Sequence, residues 1–377
     1  MFQRLFKPPQ GQSYFLLGPR GTGKSCFVEQ AYRGSLYFDL LESSTYNELL
    51  AAPDRLAGRI PSDHDGWVVI DEIQKIPALL DEIHRLIEKR GLKFVLTGSS
   101  ARALKRKGAN LLAGRALTCK MYPLTAEELG EAFDLGYSLQ YGHLPSVWDL
   151  KQPNRFLQSY VQTYLQEEIR QEGLTRNLPA FNRFLEAAAF SQASLLNVTE
   201  VARECAVNRK VAESYFSILR DTLLSRELPV FARRAKRKLI SRIKFYFFDA
   251  GVFRALRPRG PLDSKEEVSG IALETLVLQE IAAQNDYKQW GYDLYYWRTQ
   301  QSVEVDFVLY GERGLKAIEV KSSAHLRKED FKGLRQFKKD YPEADTILVH
   351  AGEQKHYEED IAVVPAGEFL REMGEFV

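Results

Sequence analysis

Cysteine is scarce in this 377-residue chain, with Cys26, Cys119 and Cys205 as its complement. Thiols that are odd in number and far apart exclude a disulfide framework or a cysteine metal knuckle, and they fit a reducing compartment. Long hydrophobic runs are lacking as well. No stretch approaches the roughly 20 apolar residues of a membrane span. Met1 to Pro9 lacks the apolar core of a signal peptide. The expectation is a cytoplasmic protein with no membrane partner. Charge of one sign is missing too: 52 basic residues nearly cancel 50 acidic ones, for a net +2. A polyanionic partner must therefore be sought in local clusters, not in the total. There is no internal repeat and no low-complexity tract. What is present is a 45% hydrophobic composition over a length that indicates roughly two or three domains with substantial cores.

The most informative stretch is Gly18-Pro19-Arg20-Gly21-Thr22-Gly23-Lys24-Ser25, a G-x-x-x-x-G-K-S loop. Its glycines let successive backbone N–H groups curl around phosphate oxygens without Cβ clashes. Lys24 is placed to reach the β- and γ-phosphates, and Ser25 to take a position on Mg²⁺. The flanks agree. Tyr14 to Leu17 is an apolar run suited to a buried parallel strand, and Ser25 to Tyr32 can carry a helix whose N-terminus faces the phosphates. Ser35 to Leu40 reads as a second strand. Trp67 to Ile70 reads as a third and delivers Asp71 and Glu72 at its end, where ligands of parallel α/β sheets gather. Asp71 is the expected Mg²⁺-shell residue and Glu72 the group that polarises water. Pro77 to Lys89 has helical apolar spacing. Lys93 to Leu96 is another buried strand, leading into Thr97-Gly98-Ser99-Ser100. Ser99, with Thr97 second, is the candidate γ-phosphate sensor; the alternative is an ordinary turn. Arg115 precedes a strand at Ala116 to Met121.

This order of loop, acid pair, hydroxyl sensor and pre-strand arginine resembles an AAA+ ATPase, of the prokaryotic group whose members carry a C-terminal nuclease-like domain of unassigned function. The resemblance implies ATP and Mg²⁺ as cofactors. It also implies a homo-oligomer, with a hexamer as one ring size, and Arg115 as an arginine finger serving a neighbouring subunit. A surface arginine is the alternative for Arg115.

In the middle of the chain, Tyr160 to Glu172 has helical spacing. Two short helices follow, about Leu195 to Asn208 and Arg209 to Leu223. They read as a helix-turn-helix with Arg209 and Lys210 at the start of its second helix. Residues 233–244 carry seven basic side chains in twelve positions and no acid. Arg233, Arg234, Lys236, Arg237 and Lys238 are the candidate DNA contacts, through counterion release from a phosphate backbone. Their position fits the wing of a winged helix. A solvated basic hairpin, or a helical lid that docks protein, remains the alternative.

Beyond a candidate linker at Arg257 to Pro261, the predicted order is helix, three strands, helix, strand. This αβββαβ pattern is the core of restriction-endonuclease-like folds. Period-two geometry in 303–309 sets Val303, Val305, Phe307 and Leu309 on one face and Glu304 and Asp306 on the other. In 317–321, Glu319 and Lys321 share a face. An Asp on one strand and Glu-x-Lys on the next can bind Mg²⁺ and orient water against a phosphodiester, with Glu274 as a further ligand and Lys321 assisting the water. The set resembles the PD-(D/E)xK nuclease superfamily, with Val305 where a proline is usual. A solvated carboxylate face is the alternative.

The expected architecture is α/β. Residues 1–135 form a P-loop AAA+ parallel-sheet domain, 136–258 a helical lid and winged-helix region, and 259–377 a nuclease-like domain. The expected function is an ATP-hydrolysing, DNA-acting protein, with Mg²⁺-dependent deoxyribonuclease activity as a further expectation. The rival is a nucleotide-dependent switch that binds protein partners and uses the nuclease-like fold only as a binding module.

Overall fold

Apolar runs bounded by glycine build the first sheet. Strands β1 (Ser13–Leu17), β2 (Leu36–Asp39), β3 (Trp67–Asp71), β4 (Lys93–Gly98) and β5 (Ala116–Lys120) lie in the order β2-β3-β4-β1-β5, and every neighbouring pair is parallel. Phe15, Val68, Ile70, Phe94 and Leu96 are fully buried, as expected of strands covered on both faces. The Leu79–Arg90 helix packs Leu79, Leu80, Ile83 and Leu86 inward. Asp81 and Glu82 occupy its first turn and Lys89 and Arg90 its last, complementing the helix dipole, and Gly91 closes it at φ 63°.

The structure is a computed structural model that describes residues 2–100, 112, 114–165, 177–234, 239, 242–258, 260 and 264–377. Two compact units emerge. One is Arg4–Tyr122 with Asp221–Leu224; the other is Met1–Gln3, Pro123–Arg220 and Ser225–Val377. The segments 136–258 and 259–377, read separately in the sequence, thus fall in one unit.

The helices Leu178–Phe190, Val198–Glu204 and Arg209–Asp221 are interleaved in the chain with a small antiparallel sheet. Its strands are β6 (Ser194–Leu195), β7 (Ser225–Leu228) and β8 (Lys244–Phe247), in the order β6-β8-β7. Phe184 packs edge-on against Phe216, and Phe216 against Phe245. Phe245 to Gly251, which has no evident chemistry in the sequence, gains a structural role. Asp249 caps the Ala250–Leu256 helix by accepting from Val252 N, and its other oxygen accepts from His143 N at 2.7 Å. At Gly251 an added Cβ would lie 2.0 Å from the Tyr141 carbonyl oxygen, so only glycine fits.

The rest of the second unit is a long helix, Lys265–Tyr287, and a mixed sheet. Strands β9 (Asp293–Arg298), β10 (Glu304–Gly311), β11 (Gly314–Lys321), β12 (Asp345–His350), β13 (His356–Glu358) and β14 (Ile361–Pro365) lie in the order β13-β14-β12-β11-β10-β9. β10 is antiparallel to both β9 and β11, while β12 is parallel to both β11 and β14. The segment after β7 joins the edge of this sheet: Phe231 N donates to Tyr296 O at 2.7 Å, and Tyr296 N donates to Pro229 O. Phe231 is buried in the same core as Trp297 and Phe337. The expected linker begins in a fixed place, because Arg257 is buried, pairs with Glu267 and lies over Phe190.

One expectation about the strands is corrected. A register irregularity between Val305 and Val308 breaks the alternation of β10. Val305 and Val308 pack with Trp297, whereas Phe307 and Leu309 pack in the other core with Ile318 and Val320.

Candidate nucleotide site and carboxylate cluster

The loop after β1 has the backbone that its glycines permit. Gly21 and Gly23 sit at φ 82° and 90°, where a side chain is strained. An added Cβ at Gly18 would lie 2.3 Å from the Met121 carbonyl oxygen. The Lys24–Ala31 helix begins at Gly23 with no side-chain cap among the described residues, so its N-terminal amides face the loop's concavity. Lys24 is buried and donates to Gly18 O at 2.7 Å and Pro19 O at 3.1 Å. Thr22 Oγ1 donates to Pro19 O, and Arg4 braces the loop at Thr22 O and Tyr122 O. These groups fit a polyphosphate: amides and a helix terminus to hold it, and an ammonium resting on neutral carbonyls that a phosphate can outcompete.

The acid pair stands at the carboxyl end of β3. Asp71 accepts from Tyr37 OH at 2.8 Å and also from Thr97 Oγ1. Burial and the Asp71 carboxylate push the Tyr37 phenol far above its usual range, which keeps it a donor. Glu72 adopts the left-handed region at φ 60°, and its amide donates to Thr97 Oγ1. Gln74 Nε2 donates both to the Glu72 carboxylate and, at 3.0 Å, to Ser99 Oγ. Thr97 and Gln74 therefore tie the acid pair to the end of β4, where Ser99 lies. An added Cβ at Gly98 would sit 2.5 Å from Gln74 Oε1, so a larger residue there would displace the Gln74 side chain. Sequence reasoning missed Gln74 and Tyr37. The available signal was a polar side chain two positions past Glu72 and a tyrosine on the neighbouring strand.

Arg115 is about one third exposed, and its guanidinium donates to Glu88 of the same chain, which holds that carboxylate below its usual range. Arg209 and Lys210 are exposed at the start of the Arg209–Asp221 helix, where Arg209 pairs with Glu213 at 2.8 Å. Arg233 and Arg234 are exposed. Arg233 lies over the Tyr310 ring and within 3.7 Å of Asp293. Lys236, Arg237 and Lys238 lie outside the described residues. A basic stripe missed in the sequence follows β11. Lys328, Lys332, Arg335 and Lys339 line a shallow hollow of about 310 Å³, at the spacing of one helical face.

The C-terminal acids do gather, though with different company from that expected. Glu274, Glu304 and Asp306 surround the ammonium of Lys244, the last residue of the 233–244 run. Its Nζ lies 2.8 Å from Glu274, 2.5 Å from Glu304 and 3.2 Å from Asp306. Lys244 is 2% exposed, so it is no surface contact for a polyanion. Tyr246 OH also donates to Glu274, and Arg298 to the second oxygen of Glu304. Asp306 accepts from Val320 N, and Lys321 donates to Glu319 at 2.5 Å. Burial, then the Asp306 charge, raises Glu274 to about 7 and carries Glu319 well above the usual carboxylate range. Glu274, Asp306 and Glu319 were expected as Mg²⁺ ligands. The donor set does not fit an ion well, because ammonium groups already sit against Glu274 Oε1, Asp306 Oδ1 and Glu319 Oε1. Among the described residues no group of three His, Cys, Asp or Glu side chains is arranged to hold a metal.

Residues 10–130 match the family described as AAA domain, 133–263 a domain of unknown function (DUF8612), and 269–369 another (DUF4143). Uncharacterized proteins of Mycobacterium tuberculosis and Mycobacterium bovis are each 27% identical over 364 residues, covering 94% of this chain and 80% of theirs. An uncharacterized protein of Haemophilus influenzae is 24% identical and covers 63% of this chain and 67% of its own length. Among solved structures, the ORC1 protein of Aeropyrum pernix in complex with DNA aligns at a TM-score of 0.26 and 14% identity, over 66% of this chain and 87% of that one. A Vibrio cholerae protein aligns at 0.24 and 12%, over 97% and 96%. Among the described residues no helix is long and apolar enough to cross a membrane. The N-terminal unit thus joins a parallel α/β sheet, a phosphate-loop backbone and an AAA-domain sequence, a combination that implies ATP binding.

Proposed function

We propose that this protein is an ATP-hydrolysing AAA+ protein that acts on DNA. The observation that carries the hydrolytic part is the hydrogen-bonded chain from Glu72 through Gln74 to Ser99, at the strand ends beside the phosphate loop. Lys24 leaves the Gly18 and Pro19 carbonyls for the β- and γ-phosphates, and the backbone amides between Arg20 and Ser25 take the remaining phosphate oxygens. Ser25 and Asp71 are the residues to hold Mg²⁺, which when bound neutralises phosphate charge. Tyr37 and Thr97 fix the Asp71 carboxylate. Glu72 polarises the attacking water, with Gln74 orienting it and Ser99 reading the γ-phosphate. Arg115 serves a neighbouring subunit after giving up Glu88, which makes the working form a homo-oligomer, with a hexamer as the ring to test.

DNA contact is supported by the exposed Arg209, Lys210, Arg233 and Arg234, and by the Lys328–Lys339 stripe. The domain divisions 1–135, 136–258 and 259–377 are retained as functional segments. Residues 136–258 act as the lid and winged-helix-like part, and 259–377 as a restriction-endonuclease-like fold. The occupation of its carboxylates by Lys244 favours the reading of that fold as a binding module. The experiment pairs Glu72→Gln with Arg115→Ala. Each alone should bind ATP yet lose hydrolysis, and Arg115→Ala should cost about 10³–10⁵ in rate. Mixed after subunit exchange, they should regain partial activity, peaking at intermediate ratios. Wild-type turnover by Glu72→Gln refutes the acid assignment. A flat mixing curve with exchange verified returns Arg115 to a surface role beside Glu88.

A further inference from the structure

A nuclease-like site needs a divalent cation among its acids, and this chain has placed a different cation there. Lys244 arrives on β8, whose backbone pairs with both β6 and β7, so its position is set by a sheet and not by a loop. An ammonium has three N–H donors, and all three of the acids around Lys244 lie within 3.2 Å. The outer oxygens of the cluster are also engaged. Asp306 accepts from Val320 N, Glu304 pairs with Arg298, and Glu319 Oε1 takes Lys321. What remains is Glu274 Oε2, which takes none of these contacts, and Glu319 Oε2, buried and without a hydrogen-bond partner among the described residues. A divalent ion at these two oxygens would lie beside the Lys244 and Lys321 ammonium groups, whose like charge opposes it. Lys244 and Lys321 together bring the two positive charges that a divalent ion would bring.

We propose that Lys244 is the resident cation of the Glu274/Glu304/Asp306 cluster, closing it to divalent metal and anchoring β8 to the mixed sheet in the metal's place. The residue that ends the basic run is then a fixed ion inside the domain, and the three acids are its cage. This inference does not depend on the ATPase reading.

Manganese titration of the nucleotide-free full-length chain, with free Mn²⁺ read by electron paramagnetic resonance, tests it. Wild type and Asp306→Asn should bind the same amount of Mn²⁺, because the cluster contributes no site. Lys244→Ala should gain one Mn²⁺ per chain with at least a tenfold rise in affinity, and Lys244→Ala/Asp306→Asn should lose it again. A wild-type site that disappears in Asp306→Asn overturns the proposal. So does a folded Lys244→Ala that binds no more Mn²⁺ than wild type. If Lys244→Ala does not fold, Lys244→Ala/Glu304→Gln removes one charge of each sign and carries the same two outcomes.

Discussion

Two lysines, Lys24 and Lys244, occupy the two polar centres of this protein, and their partners separate one centre from the other. The Lys24 ammonium rests on the neutral carbonyls of Gly18 and Pro19, at the mouth of a helix that no side chain among the described residues caps. The Lys244 ammonium is shut among three carboxylates on a strand fixed at both edges. Carbonyl contacts are exchanged readily for a phosphate, because the incoming anion gains more from the ammonium than the carbonyls lose. Carboxylate contacts in a dry interior are not, because withdrawing the cation leaves buried negative charge. One centre is built to be entered and the other to stay closed.

Removing each lysine gives the largest effect and is the most direct way to break the contrast. Lys244→Met should destabilise the second unit by about 3–5 kcal/mol, the usual cost of leaving one partner of a buried ion pair unpaired. ATP affinity should be unchanged. Lys24→Ala should do the reverse, lowering ATP affinity by about two orders of magnitude with little change in urea unfolding. Denaturation curves and fluorescent-nucleotide titrations of both variants decide it. If Lys244→Met is as stable as wild type, the cage holds nothing that matters.

A carboxylate buried with no lysine sharpens the comparison further. Glu280 stands on the same helix as Glu274, fully buried. It accepts from Ala126 N at 3.0 and 3.1 Å and from Gln284, with His143 4.0 Å away. Burial raises it to about 8, with Glu128 and Glu127 adding to the rise. Burial also holds His143 down to about 4, so this histidine is neutral and supplies no charge. A raised carboxylate favours the folded state while protonated. Its contribution is full below about 4.5 and is lost as pH rises through about 8. Glu280→Gln should therefore flatten the fall in stability over that window, by an amount on the order of a few kcal/mol. His143 acts in the opposite sense, its contribution being lost as pH falls from 6.5 through about 4. Unfolding measured across pH 4 to 9 reads both arms. An unchanged alkaline slope in Glu280→Gln would place the proton elsewhere.

The two centres were unequally legible in the sequence for the same reason that they differ in chemistry. The phosphate loop is eight consecutive residues whose glycines are dictated by backbone conformation, so its geometry is written locally. The strands themselves were legible as apolar runs ending in polar residues, whereas their order and the Asp71–Thr97 contact come from the structure. The cage is assembled from β8, the Lys265–Tyr287 helix and β10, and nothing in the spacing of Lys244, Glu274 and Glu304 announces their meeting. Lys244 read as the end of a charge run because runs are judged by composition, whereas its burial is set by the pairing of β8. The irregularity in β10 had one signal, because Val308 puts an apolar side chain where alternation from Glu304 and Asp306 calls for a polar one. Gln74 was missed because its role depends on the left-handed turn at Glu72, which brings it back toward Ser99.

Gln74 also yields a smaller effect that tests whether the open centre is organised beyond its loop. Gln74→Ala removes one donor from the Glu72 carboxylate and one from Ser99. A hydrogen bond to a charged group is worth about 1.5–3 kcal/mol, so kcat for ATP hydrolysis should fall by about ten- to a hundredfold. KM should stay constant, because no phosphate contact is lost. A rise in KM with kcat intact would make Gln74 a binding residue instead.

The smallest expected effect divides the basic run itself. Lys244 belongs to the run by sequence and to the cage by structure, so it should contribute nothing to a DNA-binding surface. Arg233 is partly committed as well, lying over Tyr310 and beside Asp293. Lys210 and Arg234 are exposed at the two places where a duplex is expected. Counterion release gives each phosphate contact a slope of about 0.9 in log affinity against log salt. Replacing Lys210 and Arg234 by glutamine should therefore lower the slope by about 0.9 each, and Arg233→Gln should lower it by less. Lys244→Met, assayed below its unfolding transition, should leave the slope where it was. Fluorescence anisotropy with a labelled duplex from 50 to 300 mM salt resolves differences of this size. If Lys244→Met flattens the curve as much as Lys210→Gln does, the ammonium must leave its carboxylates for phosphate, and the closed centre is open after all.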